Sequence, residues 1–128
     1  MALMTHADVQ AWLDRYIAAW RANDAAEIEP LFTADAVYSY RPWDSDDHTI
    51  RGRDAVVASW LEETDDPGSW DAHYEPFAVD GDRAVAVGWS KYAADGEHEA
   101  RTYHNAYLLE FEEGRCASFH EYYMQEGT

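Results

Sequence analysis

The first half of the chain places apolar residues at helical spacing. Val9, Leu13, Tyr16, Ile17 and Trp20 recur every three or four positions, which is one stripe along one helix. Thr5-His6-Ala7-Asp8 reads as the capping box that opens this helix, and the pattern runs to about Asn23. Asn23 or Asp24 then caps a second, short helix, with Glu27 in its first turn and Ile28, Leu31 and Phe32 as its buried side. Pro30 strains the regularity of this helix. Ala36-Val37-Tyr38-Ser39-Tyr40 is β-like, and a polar loop from Arg41 to His48 follows with one large aromatic, Trp43, in it. Arg51-Gly52-Arg53-Asp54 leads into a third helix with Val56, Val57, Trp60 and Leu61 as its stripe, and Pro67-Gly68 breaks the chain.

Beyond that break the period changes to strands and turns. Four long segments, 70–79, 83–93, 99–111 and 115–124, are separated by Asp80-Gly81-Asp82, Asp95-Gly96 and Glu112-Glu113-Gly114. Glycine-containing turns between alternating segments favour successive hairpins, hence an antiparallel meander. Helices followed by strands predict an α+β domain rather than alternating α/β. No repeat, low-complexity tract or linker divides residues 1–128, so a single domain is expected.

Composition adds a pocket and removes several partners. The 128 residues include six Trp and nine Tyr against four Phe. Trp and Tyr join an apolar body to a polar tip, which suits cavity walls and interfaces. Twenty-six acidic residues against nine basic ones, only Lys91 a lysine, give a net charge of −17. Such a surface repels phosphate backbones and anionic lipid, so neither nucleic acid nor membrane is expected as a partner. The acidic, lysine-poor balance fits a salt-adapted source and equally a GC-rich genome favouring Arg and Asp. Cys116 is the single cysteine and reads as a buried thiol at the start of a strand. The N-terminal residues lack the basic and apolar regions of a signal peptide, and no apolar run reaches membrane-spanning length, so a cytoplasmic protein is the expectation.

The segments taken in order resemble the SnoaL-like branch of the nuclear transport factor 2-like (NTF2-like) superfamily. The resemblance rests on Ala19-Trp20-Arg21-x-Asn23-Asp24, Leu31-Phe32-Thr33-x-Asp35-Ala36-Val37-Tyr38, Ile50-x-Gly52-x-Asp54-Ala55-Val56 and Val79-Asp80-Gly81-Asp82-x-Ala84-Val85. It closes on Tyr103-x-Asn105, Phe111-x-x-Gly114-Arg115 and Glu121-Tyr122-Tyr123. It implies an NTF2-like cone, three N-terminal helices packed in a strongly curved, mainly antiparallel sheet around a deep cavity. It also implies a homodimer formed through the outer face of the sheet. Relatives of this kind include ketosteroid isomerases, polyketide cyclases, epoxide hydrolases and scytalone dehydratase, so the fold alone does not name a reaction.

Strand alternation selects the candidate chemistry. Tyr103, Asn105, Tyr107, Leu109 and Phe111 share one side of the third long strand; this side is taken as inward, because the other carries His104 and Glu110. Phe119, Glu121 and Tyr123 share a side of the last strand, which the resemblance makes the cavity side. Glu121 is then a carboxylate among aromatic rings, where desolvation favours the protonated form and suits a general acid or base. The alternative is a structural Glu121, paired with an Arg or Tyr at the cavity rim. His73 is a second candidate, because the resemblance places a pocket histidine on its strand, with Tyr38 or Tyr40 as the accompanying phenol; alternatively it faces outward. Tyr16, one turn before Trp20, is either an oxyanion donor, as a helix tyrosine is in ketosteroid isomerases, or plain core.

Three departures weaken the specific family mechanisms. Arg41-Pro42 stands where ketosteroid isomerases carry their base, Gly88-x-Ser90 where epoxide hydrolases carry an Arg-x-Asp pair, and Trp20-Arg21 near scytalone dehydratase's tyrosine–aspartate pair. His98, His104 and His120 lack the spacing of a metal set, and there is neither a phosphate-binding glycine loop nor a nucleophile elbow. The expectation is a cofactor-free isomerase, cyclase or dehydratase for a small, flat, apolar, carbonyl-bearing molecule. Glu121, His73, Tyr40 and Asn105 are its catalytic candidates. Tyr16, Trp20, Tyr38, Trp43, Trp60, Tyr103, Tyr107, Phe119 and Tyr123 form the binding wall. The alternative is a non-catalytic module of the same fold that holds a hydrophobic ligand or serves dimerisation.

Overall fold

The structure is a computed structural model that describes residues 3–39, 49–62 and 64–127. Helix α1 spans His6–Ala22. The Thr5 hydroxyl accepts from the Asp8 amide at 3.1 Å and the Asp8 carboxylate accepts from the Thr5 amide at 2.9 Å, so two amides left over by the helix start are satisfied reciprocally. The helix stops at Asn23, which adopts a left-handed φ of 52°, a conformation asparagine tolerates better than most residues. Asp24 caps the four-residue α2, Ala25–Ile28. Pro30 then tightens the chain into a 3₁₀ turn over Glu29–Leu31 instead of extending the helix.

Strand β1, Phe32–Ser39, follows directly. A short strand β2, Thr49–Arg51, pairs with it antiparallel; the sequence pattern reads those residues only as a helix entry, because three residues are too few to alternate visibly. Helix α3 spans Arg53–Glu62. It buries Val56 and Val57 as expected, but Leu61 is 37 % exposed and lies off the packed face. The remaining strands are β3 (Trp70–Asp80), β4 (Arg83–Tyr92), β5 (Arg101–Glu112) and β6 (Arg115–Gln125).

These strands form one curved, unclosed sheet in the order β2-β1-β6-β5-β4-β3. The four long strands are the expected meander, and among the described residues the one parallel pair is β1 against β6. Register shifts in β1 between Phe32 and Val37, in β3 between Pro76 and Ala78, and between β5 and β6 near Phe111 bend the strands. Pro76 is accommodated because β3 is an edge strand, where a missing amide need not break a ladder on both sides.

The helices fill the concave side. Trp12 is fully buried at the centre of the core, and its indole N–H donates to the Leu31 carbonyl at 3.0 Å, tying α1 to the 3₁₀ turn. Its ring meets Phe111 edge-on at 5.5 Å and stacks near Tyr16 at 5.5 Å. Trp12 lies outside the five-residue stripe read from sequence; it extends the packed face of α1 to Phe32, Phe111 and Phe119. Cys116 is buried, its thiol donates to the Ser118 carbonyl, and burial pushes its pKa up, as for an inert structural thiol.

Candidate functional site

Between the helices and the sheet lies a cavity of about 360 Å³, within the range of small-molecule sites. Helix α1 contributes Tyr16 and Trp20, and β1 contributes Tyr38. Helix α3 and the segment after it contribute Trp60, Glu62 and Asp65. The sheet contributes Tyr74, Ser90, Tyr92, Tyr107 and Glu121, from four consecutive strands of the meander. Each sheet residue reaches the cavity by the same rule: in β3 to β6 alternate side chains point to the concave side.

Glu121 lies directly across the ladder from Tyr107. The Asn105 amide donates to its carboxylate at 2.5 Å, and the Asn105 carbonyl oxygen accepts from the Ser90 hydroxyl at 3.3 Å. Ser90 and Asn105 are buried, so this short relay fixes the carboxyl, with Asn105 behind the wall and Ser90 and Glu121 on it. Burial raises the Glu121 carboxyl from its ordinary 4.5 to about 7, a rise the Asn105 hydrogen bond partly offsets. Both protonation forms are therefore populated near neutral pH.

The phenols around it are held neutral. Burial pushes Tyr74 up to about 12 and raises Tyr92 and Tyr107 as well, with the Glu121 charge adding to each. The Tyr74 and Tyr107 rings pack 4.7 Å apart, and Ser90 and Tyr92 line the same wall. Tyr74 gains its place from Gly88, opposite it on β4. A Cβ at Gly88 would stand 1.8 Å from the His73 carbonyl oxygen and 2.6 Å from the Tyr74 ring. The Gly88-x-Ser90 departure thus has a local meaning: one residue makes room for a phenol, the other holds the amide that holds Glu121.

Titration of Glu121 couples to stability. An unfolded chain releases this proton near 4.5, the folded chain near 7, so the folded state holds the extra proton between those values. The group's stabilising contribution is complete below about pH 4.5 and declines by roughly 3 kcal/mol as pH rises to 7. Glu121→Gln removes this slope. Denaturant titrations at several pH values should show the variant gaining on the native chain by about that amount across the window; parallel curves contradict the burial.

The other sequence candidates separate clearly. Tyr16, Trp20, Tyr38, Trp60, Tyr107 and Glu121 line the cavity, and Asn105 stands behind Glu121. Phe119 is fully buried below it, stacked on Tyr38 at 4.4 Å and against Tyr107 at 4.6 Å, so it supports the lining rings. Tyr103 is half-buried off the cavity wall, edge-on to Tyr92 and to Tyr123. Tyr123 is 53 % exposed: the alternation holds, but at the end of β6 its ring meets Tyr103 and does not line the cavity. His73 is corrected too. It is exposed on the convex face near Trp89, because Trp70, Ala72 and Tyr74 take the concave positions of β3. Tyr40 and Trp43 lie outside the described residues. Among the described residues, His98 pairs with Asp95 and His104 with Glu126, and no group of three potential ligands converges on a metal position.

Sequence reasoning missed Tyr74, Ser90, Tyr92, Glu62 and Asp65. The first three were open to it, since Trp70-Ala72-Tyr74 and Ala84-Ala86-Gly88-Ser90-Tyr92 alternate in phase. Asp65 had no such signal. Its carboxylate accepts from the Trp20 indole at 3.0 Å and its carbonyl from the Asn23 amide at 3.2 Å, contacts that depend on how α1 and the segment after α3 meet.

An α+β cone with an aromatic cavity on its concave side is the architecture of the NTF2-like proteins. The chain belongs to the SnoaL-like domain family, whose model matches residues 13–119. No curated protein matches the sequence. Among solved structures, an NTF2-like protein of unknown function from Mesorhizobium loti superposes with a TM-score of 0.67 at 20 % identity, covering 97 % of each chain. A candidate polyketide cyclase from Sinorhizobium meliloti gives 0.64 at 21 % identity, over 93 % of this chain and 100 % of that one. An LEH-like epoxide hydrolase from M. tuberculosis gives 0.67 at 13 % identity, over 93 % and 84 %. At these identities the likeness is one of fold.

Proposed function

We propose that the cone binds a small, flat, carbonyl-bearing molecule and that Glu121 moves a proton on it without a cofactor. The observation that carries this reading is a cavity-facing carboxyl with a pKa of about 7, oriented by Asn105 and surrounded by neutral phenols. A general base works best when its pKa lies near the working pH. The ionised Glu121 takes a proton from the carbon beside the carbonyl, and the C–H electron pair moves into an enolate. A phenol from the Tyr74–Tyr107 pair, held protonated by burial, donates to the enolate oxygen. Protonated Glu121 then returns the proton to another carbon, which is isomerisation, or to a departing hydroxyl, which is dehydration. The presence of a candidate polyketide cyclase and an epoxide hydrolase among structures of this fold is compatible with such chemistry.

The test uses β-tetralone, a flat bicyclic ketone, as a probe. In D₂O the protein should accelerate deuterium exchange beside the carbonyl, followed by NMR, with a rate that rises with pH through a midpoint near 7. A rate no greater than that of buffer overturns the catalytic reading and leaves the non-catalytic ligand-binding module.

The oligomer belongs to the same reading. Leu108, Tyr122 and Met124 stand on the convex face at 41 %, 46 % and 66 % exposure, on adjacent strands β5 and β6. Three such side chains together are the composition of an interface rather than of a solvated sheet face, and they support a homodimer built back to back through that face.

A further inference from the structure

The charge of the cavity wall is one-sided. Glu62, Asp65 and Glu121 line it, seven of its lining residues are Tyr or Trp, and among the described residues no lysine, arginine or histidine does. The guanidinium groups nearest the aromatic wall stand elsewhere. Arg21 lies 4.3 Å over the ring of Trp70 and is tied to Asp71 at 2.9 Å, while Trp70 is stacked against Trp20 at 3.7 Å. Two groups that close must occupy opposite faces of Trp70, so Arg21 is separated from Trp20 by a whole indole. Arg101 lies 4.8 Å over the ring of Tyr92.

At the rim this arrangement makes a corner. Trp20 and Tyr92 meet at 6.3 Å with their planes 53° apart, and Asp65 closes it. The Asp65 carboxylate accepts the Trp20 indole N–H, which pushes electron density into the ring system and strengthens its attraction for a cation. Asn23 holds the backbone of Asp65, so the carboxylate is in position before anything binds. A carboxylate ligand here would face the Glu62 and Asp65 carboxylates, and the Arg101 guanidinium already lies over the Tyr92 ring. A neutral ligand could at most donate a hydrogen bond to Asp65 and would gain nothing from its charge. An organic ammonium would meet two aromatic rings and a carboxylate, inside a protein whose net charge of −17 already concentrates cations.

We propose that the molecule taken by this pocket carries a positively charged amine, protonated or quaternary, seated in the corner formed by Trp20, Tyr92 and Asp65. The proposal rests on the reading of the cavity as a substrate site, and it adds the substrate's charge. The amine anchors the molecule at the rim while its carbonyl-bearing body reaches inward to Glu121. Specificity then comes from the rim and reactivity from the depth.

Three forms of one ketone test it: β-tetralone bearing a trimethylammonium, a tert-butyl or a carboxylate group on its aromatic ring. The first two share shape and differ only in charge. By isothermal titration calorimetry the ammonium form should bind roughly tenfold tighter than the tert-butyl form, and the carboxylate form weakest. Asp65→Asn keeps an acceptor for the Trp20 indole and should close the gap between the first two. An ammonium form that binds no tighter than its neutral isostere, or fails to bind, overturns the proposal, as does an advantage that survives Asp65→Asn. Binding is read apart from turnover, so the two ideas fail separately. Exchange without charge preference retains the proton chemistry and removes the cation site; charge preference without exchange does the reverse.

Discussion

Replacing Glu121 with glutamine lowers the exchange of the ketone's protons by roughly a hundredfold to ten-thousandfold, the usual contribution of a positioned general base. The amide cannot take the proton, yet it retains the shape of the carboxyl and an oxygen to accept from Asn105. The fold therefore persists. Near neutral pH the variant should melt no lower than the native chain, because an amide has no charge to desolvate in a site that already disfavours the carboxylate. Ligand affinity, measured by calorimetry on the neutral ketone, should change little. These readouts together separate chemistry from architecture: lost exchange with retained binding and stability assigns the proton transfer to Glu121. Retained exchange removes that assignment, whatever else the pocket does.

The second large effect falls on stability. Gly88→Ala should destabilise the protein by about 3 kcal/mol, lowering its melting temperature by roughly 10 °C. The added methyl would stand 1.8 Å from the backbone oxygen of His73 and 2.6 Å from the Tyr74 ring. The first contact is with backbone in the hydrogen-bonded β3–β4 pair, so relief requires moving a strand rather than turning a side chain. Displacing Tyr74 also loosens its ring contact with Tyr107, so pocket and sheet should weaken together. A denaturation midpoint close to that of the native chain would show that the two strands are further apart than this geometry has them.

The sequence was most readable where one physical rule acts alone. The capping box at Thr5, the cap at Asp24 and the glycine turns at Gly81 and Gly114 are local, and each stands where its residues direct; the β4–β5 connection is longer than Asp95-Gly96 suggests, running from 93 to 100. Period-two alternation likewise puts Asn105, Tyr107 and Glu121 on one face of two paired strands, and they share it. Legibility falls where rules compete. His73 and Tyr74 are adjacent and both polar-tipped, so only the phase fixed by Trp70 separates the outward from the inward residue. Tyr123 obeys the alternation yet is exposed near the end of β6, and alternation alone gives a side chain its face but not its depth. Asp65 belongs to no periodic element. Its role arises when Trp20, forty-five positions earlier, lands beside it.

The parallel pairing of β1 with β6 has a consequence for how the chain reaches this form. Tyr38 meets Phe119 across that ladder, and their rings stack at 4.4 Å. The contact joins the first strand to the last, with the whole meander threaded between them. On a ribosome, α1 and β1 emerge with their aromatic faces uncovered and must wait for the final strand before the sheet can close over them. Contacts of such long span are slow to form and leave adhesive surface exposed meanwhile. The abundance of acidic residues along the rest of the chain then has a role in birth as well as in the finished molecule: mutual repulsion keeps half-made copies apart until β6 arrives.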